Sequence, residues 1–153
     1  MTLTIERGRQ WPREVERLLL ALPEWFGQAD SNAAYVQEAE RLPTVAARDG
    51  GTVVGVCLVR PHSPESAEVE LLAVDPTMHR AGIGTALLEA VEQQLVEAGV
   101  RLLQVKTFGP SGDSEEYERT RAFYRALGFI PLEERTDIWG PDDPCLISVK
   151  VLG

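Results

Sequence analysis

The strongest constraint on the fold is a run of consecutive apolar residues that leads through a glycine-containing turn into an amphipathic helix. Residues 71–74 are all apolar, which is typical of a strand covered on both faces. Asp75 and Pro76 end that strand, and residues 83–98 then carry apolar side chains at helical spacing. Residues 102–107 have the pattern of another strand. This order predicts a parallel βαβ crossover, because two parallel strands need such a long connection.

The remaining segments predict an antiparallel sheet around this crossover. Strand patterns cover residues 3–6, 44–48, 52–59, 129–139 and 145–151, and the Asp49-Gly50-Gly51 turn joins two of them as a hairpin. Helical patterns cover residues 12–22, 31–41 and 113–127, the last opening with a capping box of Asp113 and Glu116. We therefore expect a three-layer α/β (α+β) fold with a central mixed, largely antiparallel sheet of six to seven strands and about four flanking helices. Residues 1–153 are expected to form a single domain.

Charge and composition remove several classes of function. The 15 Lys and Arg against 24 Asp and Glu give a net charge of −9, which argues against nucleic-acid binding because that depends on basic side chains meeting phosphates. Two cysteines and two histidines without close spacing predict no metal site. Neither a secretory signal nor a run of about 18 apolar residues is present, so we expect a cytoplasmic protein with no membrane partner.

The turn at residues 79–85 is the first candidate for chemistry. Small residues at the start of a helix let a ligand approach the backbone, and the free N–H groups there bind anions such as phosphate or pyrophosphate. The alternative is a glycine-containing turn that only packs well. A dinucleotide fingerprint is excluded because Leu87 stands where it needs a small residue, and no Gly-Lys-Ser/Thr sequence supports a nucleotide phosphate loop.

Three segments in a fixed order carry a family resemblance. Residues 68–76 read EVELLAVDP, the turn at 79–84 reads HRAGIG, and residues 123–129 read FYRALGF. Together they resemble the GNAT superfamily of N-acetyltransferases, which is related to the histone acetyltransferases. His79 departs from the pattern, since relatives usually have Gln or Arg there, although Arg80 beside it supplies positive charge.

The resemblance implies an acetyl-CoA-dependent N-acetyltransferase that transfers acetyl to a primary amine by direct attack in a ternary complex. The backbone of Leu72, Ala73 and Val74 would pair with the pantetheine arm as an added strand does. Two further groups of residues would contact acetyl-CoA. The pyrophosphate would lie on the turn formed by His79, Arg80, Ala81, Gly82, Ile83, Gly84 and Thr85. The later helix would contribute Phe123 and Tyr117, although many relatives have Asn at the second position.

Acetyl transfer to an amine requires two proton transfers. An amine with a pKa of about 10.4 must lose a proton, and a thiolate whose conjugate acid has a pKa of about 8.5 must gain one. Tyr124 matches the family's general acid, or else it is simply an aromatic residue on the inner face of its helix. Glu68 is the preferred base and Glu70 its competitor. Strict alternation puts both carboxylates on one face with Leu72 and Val74, although both could also lie at a solvated strand end.

The acceptor site is the least defined part of the sequence. Trp25 and Phe26 could form an aromatic wall for the substrate or plug the core, and Trp139 has the same ambiguity. His62 lies between two prolines and is expected to be exposed. The acceptor could be a small molecule or a protein amine. The sequence leaves open whether the protein is a monomer or a homodimer, although dimers are frequent in the family. The rival hypothesis is a non-catalytic acyl-CoA-binding or interaction module.

Overall fold

The structure, a computed structural model, describes residues 2–153 and consists of one seven-stranded sheet with helices on both faces. The strands are β1 (Leu3–Arg7), β2 (Thr44–Asp49), β3 (Thr52–Ser63), β4 (Ser66–Val74), β5 (Leu102–Phe108), β6 (Ile130–Arg135) and β7 (Cys145–Val151). The helices are α1 (Pro12–Leu20), α2 (Ala29–Ala39), α3 (Ile83–Glu97) and α4 (Glu115–Ala126). A short 3₁₀ turn at Pro76–Met78 follows β4.

The strand order is β1-β2-β3-β4-β5-β7-β6, and every neighbouring pair is antiparallel except β4 and β5. The predicted parallel crossover through α3 and the mixed sheet are therefore confirmed. Among residues 2–153, no helix has both the length and the apolar character that a membrane crossing needs.

Each face of the sheet has its own apolar core. On one face, α1 buries Val15, Leu18 and Leu19, and these pack with β-strand residues such as Leu71 and Ala73. On the other face, α3 buries residues including Leu87 and Val91 against strand residues such as Val69, Val105 and Cys57. The consecutive apolar residues of β4 thus serve two cores, as expected for a central strand.

Two details of the predicted elements were wrong. Helix α4 is capped by Ser114, whose extended backbone lets its Oγ accept a hydrogen bond from the Tyr117 N–H (3.3 Å), so Asp113 does not form the capping box. The strand predicted over residues 129–139 stops at Arg135, because Arg135 pairs with Cys145, the first residue of β7, and β6 has no partner beyond it.

The most consequential difference is a β-bulge in β4. Leu58 of β3 pairs with Leu71, but the next residue, Val59, pairs with Val69, so Glu70 is an extra residue in its strand. The bulge interrupts the alternation of side chains. Leu72 therefore packs in the α3-side core together with Val69, while Glu70 binds Arg60. The expectation that Glu70 shares a face with Leu72 and Val74 was wrong for this reason.

The bulge coincides with the end of the parallel pairing. Strand β4 pairs with β5 only from Ser66 to Val69, opposite Leu102 to Val105. Beyond that point the two strands separate, and a gap opens in the middle of the sheet.

A substitution at Gly55 can test how closely α3 packs on the sheet next to this gap. A Cβ atom there would lie 3.0 Å from both Ile83 Cγ2 and Leu87 Cδ1 and 3.4 Å from Val74 Cγ2. We expect Gly55→Val to lower the free energy of unfolding by about 1–3 kcal/mol through overpacking, measured by urea denaturation. Gly51→Ala is the matched control, since nothing lies within 4 Å of its Cβ position. Equal stability of the two variants would contradict this close packing.

Candidate functional site

A cleft of about 780 Å³ passes through the gap between β4 and β5. One wall contains Val69, Glu70, Leu71 and Leu72, and the opposite wall contains Val105, Lys106 and Thr107. Its lining includes side chains from the α1 side of the sheet and from the α3 side. The cleft therefore connects the two faces of the sheet, so two ligands can meet in it from opposite sides.

The β4 wall offers unpaired backbone groups. Beyond Val69, no strand among residues 2–153 pairs with β4 on its β5 side. The carbonyl of Val74 accepts a hydrogen bond from His79 Nε2 (3.0 Å). Across the gap, the buried Thr107 Oγ1 has no hydrogen-bond partner in the described part of the chain. Because buried polar groups are normally satisfied, this arrangement fits an extended ligand that lies between the strands.

The turn before α3 has the backbone geometry of an anion site. Arg80 (φ 68°) and Gly82 (φ 79°) both adopt left-handed conformations, and Arg80 is the one non-glycine residue to do so within residues 2–153. No side chain caps the helix, and its first backbone hydrogen bond runs from the Ala86 N–H to the Gly82 carbonyl (3.0 Å). The preceding N–H groups of the first turn are left to bind an anion at the positive end of the helix.

Helix α4 approaches this turn closely enough to position Tyr124. A Cβ atom at Gly84 would lie 3.1 Å from Phe123 Cζ, so the Phe123 ring packs directly on the α3 backbone. Tyr124 packs edge-to-face against Phe123 and against Phe129. Tyr124 is 6% exposed yet lines the cleft, and burial raises the pKa of its hydroxyl far above the ordinary value. The phenol therefore keeps its proton at neutral pH.

Tyr117 links α4 to the loop between α1 and α2. Its hydroxyl donates a hydrogen bond to the Trp25 carbonyl (3.0 Å), and its ring packs on Phe108. The Trp25 Nε1–H donates in turn to Thr120 Oγ1 (3.1 Å). Tyr117 also lines the cleft. A tyrosine at this position therefore fastens the loop to α4 across the cleft.

The two candidate bases have different surroundings. Glu68 is 5% exposed, and each of its carboxylate oxygens lies 3.0 Å from Lys106 Nζ. His62 is exposed, as expected, and its Nε2 also lies 2.7 Å from Glu68 Oε1. Glu68 is not among the residues that line the cleft, whereas Lys106 is.

Glu70 does line the cleft and is held by a guanidinium group. Arg60 donates to Glu70 from Nε (2.9 Å) and from Nη2 (3.2 Å), and its Nη2 also lies 2.7 Å from Glu38 Oε1. Burial raises the pKa of the Glu70 carboxyl, but the hydrogen bonds with Arg60 and Glu38 and the positive charges of Arg60 and Lys106 together outweigh it, so the pKa is lowered. Burial and the hydrogen bond with Glu70 raise the pKa of Glu38. Glu70 therefore presents a fixed negative charge.

Most of the predicted site residues meet in this one cleft. Its lining contains Glu70, Leu72, Val74, His79, Arg80, Gly82, Ile83, Gly84, Thr85, Tyr117, Phe123 and Tyr124. Glu68, Ala73 and Ala81 are not part of the lining. For Ala73 the prediction was a backbone contact to the pantetheine arm, and for Ala81 it was a place in the turn that would hold the pyrophosphate. Sequence reasoning missed Tyr35, Lys106 and Thr107. The last two lie in β5, the parallel partner of β4, just beyond the point where the pairing of the two strands ends, and this position was the signal that could have identified them.

The buried phenols predict a specific dependence of stability on pH. Burial raises the pKa of Tyr35 to about 12, with Tyr117 and Glu70 adding to the shift, and it also raises the pKa of Tyr117. An unfolded tyrosine titrates near 10, so above about pH 10 the unfolded chain releases protons that the folded chain keeps. Stability is complete below that pH and falls as the pH rises.

We expect Tyr35→Phe to make this alkaline fall shallower, as measured by urea midpoints from about pH 9 to about pH 11. The neutral-pH midpoint is the internal control. Identical slopes for the variant and the parent protein would show that Tyr35 is not buried as described.

The comparisons with known proteins agree with this geometry. Residues 6–129 match the model of the acetyltransferase (GNAT) family. No curated protein sequence matches the chain.

Three solved structures illustrate the similarity. A GNAT-family protein from Desulfovibrio desulfuricans is 22% identical with a TM-score of 0.84, covering 99% of this chain and 100% of that one. The ribosomal-protein-S18-alanine N-acetyltransferase from Escherichia coli is 19% identical with a TM-score of 0.80, covering 99% and 95%. An aminoglycoside 6'-N-acetyltransferase complexed with coenzyme A is 21% identical with a TM-score of 0.75, covering 99% and 97%. With the family model spanning most of its length, the chain belongs to the GNAT family of acetyltransferases.

Proposed function

We propose that the protein transfers the acetyl group of acetyl-CoA to a primary amine by direct attack in a ternary complex. The observation that carries this proposal is the cleft through the sheet. It joins a free strand edge and an anion-binding turn to the ionised carboxylate of Glu70. Two substrates entering from opposite faces can then react without an acyl-enzyme.

The fit of acetyl-CoA rests on this chain's own groups. On the side that faces β5, where no described strand pairs with them, backbone groups of Leu72, Ala73 and Val74 would hydrogen-bond to the pantetheine amides, as an added strand does. The N–H groups at the start of α3 would hold the pyrophosphate, with Arg80 adding positive charge. Coenzyme A is bound in the aminoglycoside 6'-N-acetyltransferase structure, which has the same fold. The bound thioester supplies the activated acetyl group.

Tyr124 is proposed to act as the general acid. Its raised pKa means that the hydroxyl enters the reaction protonated. It can hydrogen-bond to the sulfur as negative charge develops there and deliver its proton as the carbon–sulfur bond breaks. Because the raised pKa also makes the phenol a weak acid, the hydrogen bond to the developing thiolate supplies most of its effect.

Glu70 is the better placed of the two candidate bases, since it lines the cleft and Glu68 does not. Its lowered pKa makes Glu70 a weak base for removing a proton directly from the substrate's ammonium group. We therefore propose that Glu70 binds the ammonium group while a water molecule accepts the proton and carries it away. Glu68 would act indirectly, by fixing Lys106 through the two 3.0 Å contacts.

Tyr124→Phe tests the chemical step. We expect kcat for CoA release with a panel of primary amines to fall about 100-fold, since general acids contribute about that much or more, while the affinity for acetyl-CoA is unchanged. A thiol assay measures the release and calorimetry the binding. An unchanged kcat would remove Tyr124 from the mechanism. Acetyl-CoA binding without CoA release for any amine would favour a non-catalytic acyl-CoA-binding module instead.

Gly82→Asp tests the position of the pyrophosphate. A carboxylate there would repel an anion at the start of α3, so we expect the affinity for acetyl-CoA to fall at least about tenfold. Gly8→Asp is the matched control, because Gly8 has nearly the same left-handed backbone (φ 80° against 79°) and similarly open surroundings. Calorimetry on both variants separates loss of binding from backbone strain. Equal affinities would mean that the anion binds elsewhere.

A further inference from the structure

The aromatic residues of the chain are concentrated in one place. Of its three Trp, three Tyr and four Phe, seven line the cleft. Three of them, on α4, belong to the half of the cleft assigned to acetyl-CoA. The other four come from the α1–α2 loop, from α2 and from the β6–β7 loop, and we call them the acceptor wall: Trp25, Phe26, Tyr35 and Trp139.

Three members of the acceptor wall, Trp25, Phe26 and Tyr35, are held in place before any substrate binds. The Trp25 indole donates to Thr120 Oγ1 and packs edge-to-face against His79, with ring centroids 5.8 Å apart. Phe26 packs edge-to-face against Tyr35 at 6.0 Å. Trp25 and Phe26 also rest against the core beneath α1 while lining the cleft. Trp25 and Phe26 therefore pack against the core and also line the cleft. An aromatic surface that is already in place binds a flat group at little entropic cost.

Charge limits what can lie against this wall. Glu70 is the one acidic side chain among the described residues that line the cleft, which also contains Arg80, Lys106 and Arg119. Arg60 fixes the Glu70 carboxylate through two hydrogen bonds. A ligand with one ammonium group finds one counter-charge here. The further ammonium groups of a polycation would find no second carboxylate in the described lining and would meet Arg119, since Lys106 is paired with Glu68 and Arg80 belongs to the proposed pyrophosphate site. The cleft therefore discriminates against polyamines despite the chain's net charge of −9.

We infer that the acceptor is an aromatic monoamine whose ring lies against the acceptor wall and whose single ammonium group is bound by Glu70. This inference rests on the proposed acetyl transfer and adds the class of substrate. Ring burial on Trp and Phe removes apolar area from water, and the ammonium gains cation–π attraction beside the carboxylate contact. The reaction is the one proposed above: the amine nitrogen bonds to the acetyl carbon, the carbon–sulfur bond breaks, and the sulfur takes a proton.

The first experiment compares acceptors on the full chain with saturating acetyl-CoA. The probes are 2-phenylethylamine, the ringless monoamine n-butylamine, and the polycations spermidine and kanamycin. We expect kcat/KM for 2-phenylethylamine to exceed that of each other probe at least about tenfold. Preferred turnover of a polycation or of n-butylamine would overturn this inference and still support acetyl transfer. Failure of every probe to release CoA would count against the proposed function itself.

Binding provides a readout that does not depend on turnover. With coenzyme A present, calorimetry should detect 2-phenylethylamine more tightly bound than 2-phenylethanol, which lacks the ammonium group. Glu70→Gln should remove that difference, with a loss of about tenfold for the amine and almost none for the alcohol. Equal losses for both ligands, or none for either, would show that Glu70 does not bind the ammonium.

A matched set of variants tests the wall. Trp139→Leu is the main variant because the side chain is 44% exposed, so its loss leaves the core intact. Phe26→Leu is the second. Each should raise KM for 2-phenylethylamine about threefold to tenfold at nearly constant kcat, since ground-state binding is removed. Leu132→Ala, at an exposed position outside the cleft, is the control and should change neither constant. Unchanged KM in both wall variants, with urea midpoints like the parent's, would overturn the inference.

Discussion

The site depends on one local irregularity, the β-bulge at Glu70. One extra residue in β4 changes the local twist and direction of the strand, and the parallel ladder with β5 ends at Val69, directly before it. The separation leaves backbone groups of β4 without a strand partner on the β5 side, and within residues 2–153 the buried Thr107 Oγ1 across the gap also has no hydrogen-bond partner. A continuous sheet would have paired the backbone groups internally and closed the route between its faces. The fold thus leaves backbone and side-chain groups in the cleft free to form hydrogen bonds with a substrate.

The electrostatics of the cleft are local and differ from those of the whole chain. A net charge of −9 would disfavour an anionic ligand if it acted uniformly, but surface charges beyond a Debye length are screened. The anion site relies on backbone N–H groups at the start of α3 and on Arg80. Buried carboxylates are matched individually with cations, Glu68 with Lys106 and Glu70 with Arg60. Glu70 keeps its negative charge and still faces the cleft. One chain can therefore offer a positive site and a negative site on opposite sides of the same gap.

The loop between α1 and α2 connects the two halves of the cleft. Trp25 contacts Thr120 on α4 and His79 in the anion-binding turn, while its carbonyl accepts the Tyr117 hydroxyl. These contacts bring together residues more than 50 positions apart in the chain. Side chains that shape the acceptor wall are thereby coupled to elements assigned to acetyl-CoA. Tyr117 acquires a physical role here, because its long side chain places a hydroxyl within hydrogen-bond distance of the Trp25 carbonyl.

Much of the fold was predictable because its signals are local. The apolar run of β4, the small residues of the turn and the helical spacing of α3 all lie within 30 residues. Together with the strand pattern at 102–107 they predict the crossover, and with residues 123–129 they carry the family resemblance. Tertiary structure decided the rest. The bulge arises from the register between β3 and β4, so a period-two pattern gave the wrong face for Glu70. The partners of Glu68, Glu70 and Trp25 come from other strands and helices, and only the folded chain decides which carboxylate faces the cleft, since that depends on which distant cation each one meets.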